Sequence, residues 1–214
     1  MYQPPIPTPA PRKTVILANG KYPTHPVPLA RLQEAELIVC CDGASGKLVA
    51  HGLEPGVIIG DLDSVPPTIR KRYNKVMVTD NDQETNDLTK AVNWCVSNGI
   101  REVAIIGATG LREDHTLGNI SLLADYSRRI DAVMLTDTGS FRVYDHSATI
   151  SSHPGQQVSL FSLDPTLKVS STGLKYPLKD LALHSWWRGT LNEAAGDRFA
   201  LDFNGGKVIV FQQY

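Results

Sequence analysis

Leu37-Ile38-Val39-Cys40-Cys41-Asp42-Gly43-Ala44 decides the fold. Five apolar residues run without polar alternation and stop at Asp-Gly, the pattern of a strand buried on both faces. The same pattern recurs on either side of it. Val15-Ile16-Leu17 precedes Asn19-Gly20, and Val57-Ile58-Ile59 precedes Gly60-Asp61-Leu62-Asp63-Ser64. Val76-Met77-Val78 precedes an acidic loop over 80–87, and Val103 to Ile106 precedes Gly107-Ala108-Thr109-Gly110. Ala132 to Leu135 closes the series. Helical patterns fill the intervals. Leu88, Ala91, Val92, Cys95 and Val96 share one face of a helix capped by Thr85 or Asn86 and ended by Asn98-Gly99. A second helix is expected over 114–127, with Leu117, Ile120 and Ala124 on one face. Strand alternating with helix predicts an α/β fold: an open, mostly parallel sheet with flanking helices.

The texture changes after Asp137. Short strand-like segments follow: Phe141 to Tyr144, Gln157 to Phe161, Lys168 to Ser171, Phe199 to Phe203 and Lys207 to Phe211. His153-Pro154-Gly155 reads as a turn, and Asn204-Gly205 as a hairpin between two apolar runs. This predicts a C-terminal all-β sandwich. Trp186 and Trp187, read as neighbours on a strand, would face opposite ways, one of them towards a partner or ligand. The expected organisation is a proline-rich tail over 1–13, an α/β domain over 14–138 and a β domain over 139–214.

The composition sets bounds. In 214 residues, 21 Lys and Arg against 22 Asp and Glu leave a net charge of −1, so no bulk basic field favours nucleic acid. No apolar stretch approaches the ~20 residues that span a bilayer. The tail from Met1 to Pro11 lacks the apolar core of a secretory signal. Cys40 and Cys41 lie in an apolar run and Cys95 in a helical pattern; all three read as buried reduced thiols, hence a cytoplasmic protein.

In an open parallel sheet, ligands bind outside the carboxyl ends of the strands. Here those ends deliver Asn19, Asp42, Gly43, Asp61, Asp63, Asp87, Thr109, Arg112, Asp114 and His115. Asp61 and Asp63, two apart, face the same way if extended; they are either a solvated turn or ligands of a hard cation such as Mg2+. Asp87 and Lys90 are either a first-turn ion pair or a third metal carboxylate with a phosphate contact. Gln83 is either a loop-capping amide or a substrate contact. Gly107-Ala108-Thr109-Gly110 opens a helix, where backbone N–H groups suit a phosphate, and Arg112 adds a forked donor. Asp114 either holds Arg112 or caps the helix, and His115 is either a phosphate contact or a helix-start residue.

Several of these segments, in order and at matching spacing, resemble the thiamine pyrophosphokinase family. The resemblance runs from about residue 15 to the C-terminus. It rests on Asp42-Gly43-Ala44, on Pro55 through Val65, on Asp82-Gln83-Glu84-Thr85-Asn86-Asp87-Leu88-Thr89-Lys90-Ala91, on Gly107 through Thr116 and on Gly173-Leu174-Lys175-Tyr176-Pro177-Leu178. It implies transfer of pyrophosphate from ATP to the thiamine hydroxyl, giving thiamine diphosphate and AMP. It also implies Mg2+ and a homodimer whose active site lies between one subunit's α/β domain and the other's β domain. Carried over residue by residue, Asp61, Asp63 and Asp87 would hold the metal. Asn19, Asp42, Gly43, Lys90, Thr109, Arg112 and His115 would bind ATP, with Asp114 beside the reacting centre. Gln83, Tyr176, Thr190 and Asn192 would bind thiamine. The family usually carries serines just before that asparagine; here Gly189 and Leu191 stand near Thr190. The competing readings are a pyrophosphokinase for another alcohol, such as a hydroxymethyl pterin, a non-catalytic thiamine or nucleotide sensor, and a structural protein with solvated strand ends.

Overall fold

The computed structural model describes residues 13–214, so the expected proline-rich tail lies almost wholly outside the described residues. The first half alternates as the sequence predicts. Strands β1 (Thr14–Leu17), β2 (Leu37–Cys41), β3 (Val57–Gly60) and β4 (Met77–Thr79) are separated by helices α1 (Pro26–Gln33), α2 (Ala44–Ala50) and α3 (Pro67–Arg72). Helix α4 (Asp87–Ser97) leads into β5 (Glu102–Ile106), and α5 (Glu113–Tyr126) into β6 (Asp131–Leu135). Asn86 caps α4, its side chain accepting from Thr89 N at 2.9 Å. That fixes the start of the helix, with Asp87 as its first residue.

The second half is all β: β7 (Gly139–Tyr144), β8 (Ala148–Ser151), β9 (Gln157–Ser162), β10 (Lys168–Thr172), β11 (Leu181–Ala182), β12 (Asn192–Glu193), β13 (Arg198–Asp202) and β14 (Val208–Gln213). These strands form the two facing sheets of the expected sandwich, one of which is continuous with the α/β sheet. Strands β7, β14, β9 and β12 continue the α/β sheet into one ten-stranded sheet, ordered β12-β9-β14-β7-β6-β5-β1-β2-β3-β4. Strands β11-β10-β13-β8 form the opposing four-stranded sheet. The sheet is parallel from β4 to β6 and antiparallel from β7 outwards.

Three cores follow from this plan. Ile16, Val39, Ile59 and Ile105 meet α4 and α5 residues such as Ala91, Cys95 and Leu123 on one face of the parallel part. Val15, Ile38, Ile58 and Ala104 meet Leu32, Leu48 and Ile69 on the other. Both faces are covered, which is why these strands read as unbroken apolar runs. Val158, Leu160, Val208 and Val210 pack against Val169, Phe199 and Leu201 between the two sheets of the C-terminal half.

Two local expectations are corrected. Asn204-Gly205 does not close a hairpin: β13 belongs to the small sheet and β14 to the large one, so this turn carries the chain between layers. Trp186 and Trp187 do not lie on a strand but in a 3-10 turn, Trp186–Gly189. Trp186 stands edge-on to Phe161 at 5.8 Å and donates Nε1–H to Ser162 O at 3.1 Å, while Trp187 is exposed.

Candidate active site

Strand β1 lies between β2 and β5, so the chain winds outwards in both directions from it. This is the point where strand order reverses and where α/β sheets open a crevice. A cleft of about 340 Å³ lies there, lined by Asn19 and Gly20 after β1, Cys41 in β2, Asn86 and Asp87 at the start of α4, Ala108 and Thr109 after β5, and Arg112, His115 and Asn119 at the start of α5. The walls are pinned by backbone contacts. Gly20 N donates to Gly107 O at 2.6 Å and Lys21 N to Thr109 O at 2.9 Å. A Cβ on Gly20 would meet Gly107 O at 2.3 Å, so only glycine allows the two loops to close on each other.

The carboxylates gather beside this cleft. Asp42, Asp61 and Asp63 each bring an oxygen within 4.8 Å of the others. The segment holding two of them is not simply extended. Leu62 adopts φ 67°, with its side chain buried, and Asp63 N donates back to Asp61 Oδ1 at 3.2 Å. Arg70 of α3 donates to Leu62 O and braces the turn. Asp87 stands outside the tightest group but next to it: its Oδ1 would lie 3.2 Å from a Cβ on Gly60, the residue before Asp61. Lys90 is 3% exposed and approaches Asp87 Oδ1 at 3.4 Å.

The electrostatics of the group are unsettled without a cation. Asp42 is 3% exposed, and its Oδ1 meets no hydrogen-bond partner among the described residues. Burial pushes its carboxyl up to about 6, and the neighbouring Asp61 and Asp87 add to the rise. Burial also raises Asp87, against the pull of Lys90. Asp61 is held below the usual carboxylate range by the Asp63 N–H and by Asp42. A buried oxygen with no donor, crowded by like charges, forms the kind of site that a hard divalent cation relieves. The donor set therefore fits Mg2+, with Asp42 joining the expected Asp61, Asp63 and Asp87.

At the opposite wall Arg112 grips Asp114 with two bonds, Nε–Oδ1 at 3.1 Å and Nη2–Oδ2 at 2.5 Å. This pair holds Asp114 down at about 2, helped by the His115 N–H. Asp114 thus both orients Arg112 and accepts from the helix start. Asn86, read in the sequence as a helix cap, Cys41, read as a buried thiol, and Asn119 also line the cleft, none of them expected there as a ligand contact. Asn119 donates to Ala108 O at 2.8 Å and lies four residues after His115, on the same side of α5, a spacing the sequence does contain.

The residues expected to bind thiamine divide. Tyr176, Thr190 and Asn192 line a second groove, of about 440 Å³, together with Lys179 and Arg188. Asn192 fixes its floor, accepting from Tyr176 N at 3.1 Å and donating to Tyr176 O at 2.7 Å. Gln83 is in neither place; it lies in the loop before α4, its Nε2 directed to Asn81 O at 3.3 Å. In sheet order β12 is eight strand spacings from β3. At ~4.8 Å per spacing, Asn192 and Asp61 of one chain are about 38 Å apart along the sheet.

Comparison with known proteins bears on both halves. The family model described as "Thiamin pyrophosphokinase, catalytic domain" matches residues 30–135, and "Thiamin pyrophosphokinase, substrate-binding domain" matches 139–211. The chain belongs to the thiamin pyrophosphokinase family. It is 28% identical to thiamine pyrophosphokinase 1 of Oryza sativa subsp. japonica over 200 residues, 79% of this chain and 75% of that protein. It is 26% identical to the thiamine pyrophosphokinase of Bacillus subtilis (strain 168) over 212 residues, 94% of this chain and 98% of that protein. The crystal structure of the yeast thiamin pyrophosphokinase shares the fold at a TM-score of 0.80 and 19% identity, covering 97% of this chain and 88% of that one. Family membership makes this an ATP-dependent pyrophosphotransferase and does not favour a pterin acceptor or a non-catalytic sensor. No helix among the described residues is long and apolar enough to cross a membrane.

Proposed function

We propose that this chain transfers the pyrophosphoryl group of ATP to the hydroxyl of thiamine, with Mg2+ held at Asp42, Asp61, Asp63 and Asp87. The observation that carries the reading is the buried Asp42 oxygen, without a hydrogen-bond partner among the described residues, facing two further carboxylates beside a cleft at the sheet's reversal point. The hydroxyl oxygen bonds to the β-phosphorus, the bond from that phosphorus to the α–β bridging oxygen breaks, and AMP leaves. The hydroxyl proton departs to solvent or to a base that the geometry does not single out. Mg2+, when bound, supplies neutralisation of the polyphosphate charge. Arg112, held in place by Asp114, contributes a forked cation to the transferring group, and Lys90, beside Asp87, contributes a second charge. The Gly107–Gly110 loop and the start of α5 offer N–H groups and a positive dipole end to the nucleotide, with Asn19, Gly43, Thr109 and His115 around it.

Tyr176, Thr190 and Asn192 bind thiamine, the tyrosine ring stacking on it. Because that groove lies so far along the sheet from the carboxylates of its own chain, a second copy supplies the other half. The working form is then a homodimer with two sites, each completed by Gln83 from the α/β half of one copy. The buried free thiols Cys40, Cys41 and Cys95 suit a reducing, cytoplasmic setting. Incubation with ATP, Mg2+ and thiamine, followed by chromatography, tests the activity. Thiamine diphosphate and AMP in equal amounts, both lost with EDTA, are expected; ADP with thiamine monophosphate, or no product, would refute it.

A further inference from the structure

Lys47 stands behind the cleft, not in it. From α2 its ammonium reaches across to the loop after β1 and donates to Asn19 O at 2.9 Å and to Gly20 O at 2.7 Å. It forms no ion pair with a carboxylate among the described residues, and burial alone lowers its proton affinity. A half-buried ammonium facing only neutral carbonyls is costly to hold, so its placement calls for a reason. The loop it grips is a wall of the cleft. On one side that wall is hydrogen-bonded to Gly107 and Thr109. On the other, the Asn19 side chain packs so close to Gly43 that a Cβ there would meet Nδ2 at 2.6 Å.

Two consequences follow for an anion in the cleft. The oxygen ends of two wall carbonyls are committed to Lys47, so they are not free to turn towards a phosphate and repel it. The positive charge behind them adds to the potential of the wall, in the region where the α5 N-terminus already favours negative charge.

We propose that Lys47 is a positioning residue for the nucleotide: it locks the Asn19–Gly20 wall in its anion-accepting form and acts on the polyphosphate through that wall. The proposal rests on the reading of the cleft as the ATP site. The test is calorimetric titration of the full-length protein with Mg-ATP alone, alongside steady-state kinetics. Lys47→Met is expected to weaken Mg-ATP binding about tenfold, the scale of one lost charge-assisted hydrogen bond. Lys47→Arg, which keeps charge and two donors, should stay within about threefold. KM for thiamine and kcat at saturating ATP should not move, which separates positioning of the nucleotide from general loosening. If Lys47→Met does not fold, Lys47→Gln keeps a neutral donor and should still lose about fivefold. Mg-ATP binding within twofold of wild type in the neutral variant would overturn the proposal, as would a parallel rise in both KM values. A wild-type protein that does not bind Mg-ATP would overturn the reading of the cleft and this proposal with it.

Discussion

Gly189 is one of the two residues, with Leu191, that stand where the resemblance implies serines, and the structure gives a steric reason for it. A Cβ on it would lie 2.0 Å from Leu160 O, 2.9 Å from Leu160 C and 3.3 Å from Leu160 Cβ. Non-bonded carbon contacts are comfortable near ~3.5–4.0 Å, so Gly189→Ala needs a shift of more than about 1 Å. Leu160 cannot supply it. It is fully buried in β9, which is hydrogen-bonded to β14 on one side and β12 on the other. The 3-10 turn must lift instead, and lifting it pulls Trp186 from Ser162 O and from the edge of Phe161. Overpacking of this kind, with loss of one anchor, is expected to cost about 2–3 kcal/mol. For a chain of this size that lowers Tm by roughly 4–12 °C. Urea unfolding and thermal denaturation of Gly189→Ala, with Gly196→Ala as control, read it directly; nothing lies within 4 Å of a Cβ on Gly196. The same displacement moves Arg188 and Thr190 at the second groove, so KM for thiamine should rise and KM for ATP should not. A destabilisation below about 0.5 kcal/mol, equal to the control, would refute the steric reasoning.

Other expectations are narrower. Asp42→Asn should abolish turnover yet raise Tm of the metal-free protein by the equivalent of about 1–2 kcal/mol. A carboxyl held up near 6 costs stability above that pH, and the cost is gone below its unfolded value of ~3.9. Asp137 is the opposite case. Burial would raise it, but the N–H groups of His25 and Thr24, the Thr24 hydroxyl and Lys21 outweigh that and hold it well below the usual range. Asp137→Asn should therefore cost about 1–3 kcal/mol at pH 7, and the difference from wild type should shrink as pH falls below ~3.9 towards the folded value; a difference unchanged down to pH ~2 would contradict this. Arg112→Gln breaks only an exposed ion pair, so Tm should stay at the wild-type value while kcat/KM for ATP falls at least ~100-fold. A large loss of stability with little loss of rate would reverse that assignment.

The parallel half was legible because its strands are buried on both faces, and helix α4 because its apolar residues repeat at helical spacing under an Asn86 cap. The boundary between layers was not. Asn204-Gly205 carries a correct turn signal, but a turn signal is local and does not say which sheet the next strand joins. Adjacent tryptophans gave no sign of the 3-10 turn, which depends on Trp186 finding Ser162 O across the fold. At the site, residue types at strand ends pointed to the cleft. The closeness of Asp42 to Asp61 and Asp63 depends on the left-handed backbone at Leu62, braced by Arg70 from another element, and no local pattern announces it. Lys47 escaped notice for the same reason: its partners are backbone carbonyls 27 and 28 residues away.

In the proposed dimer, one active site is built from two copies of the chain. Asp61→Ala disables the carboxylate half and Asn192→Ala the groove half, so each variant alone should be inactive. Mixed and allowed to exchange subunits, half of the dimers pair one of each, and each such dimer carries one intact site. Recovery to about a quarter of the wild-type rate of thiamine diphosphate formation is expected. Two inactive variants that stay inactive after exchange, with mixed dimers demonstrated by mass, would contradict it.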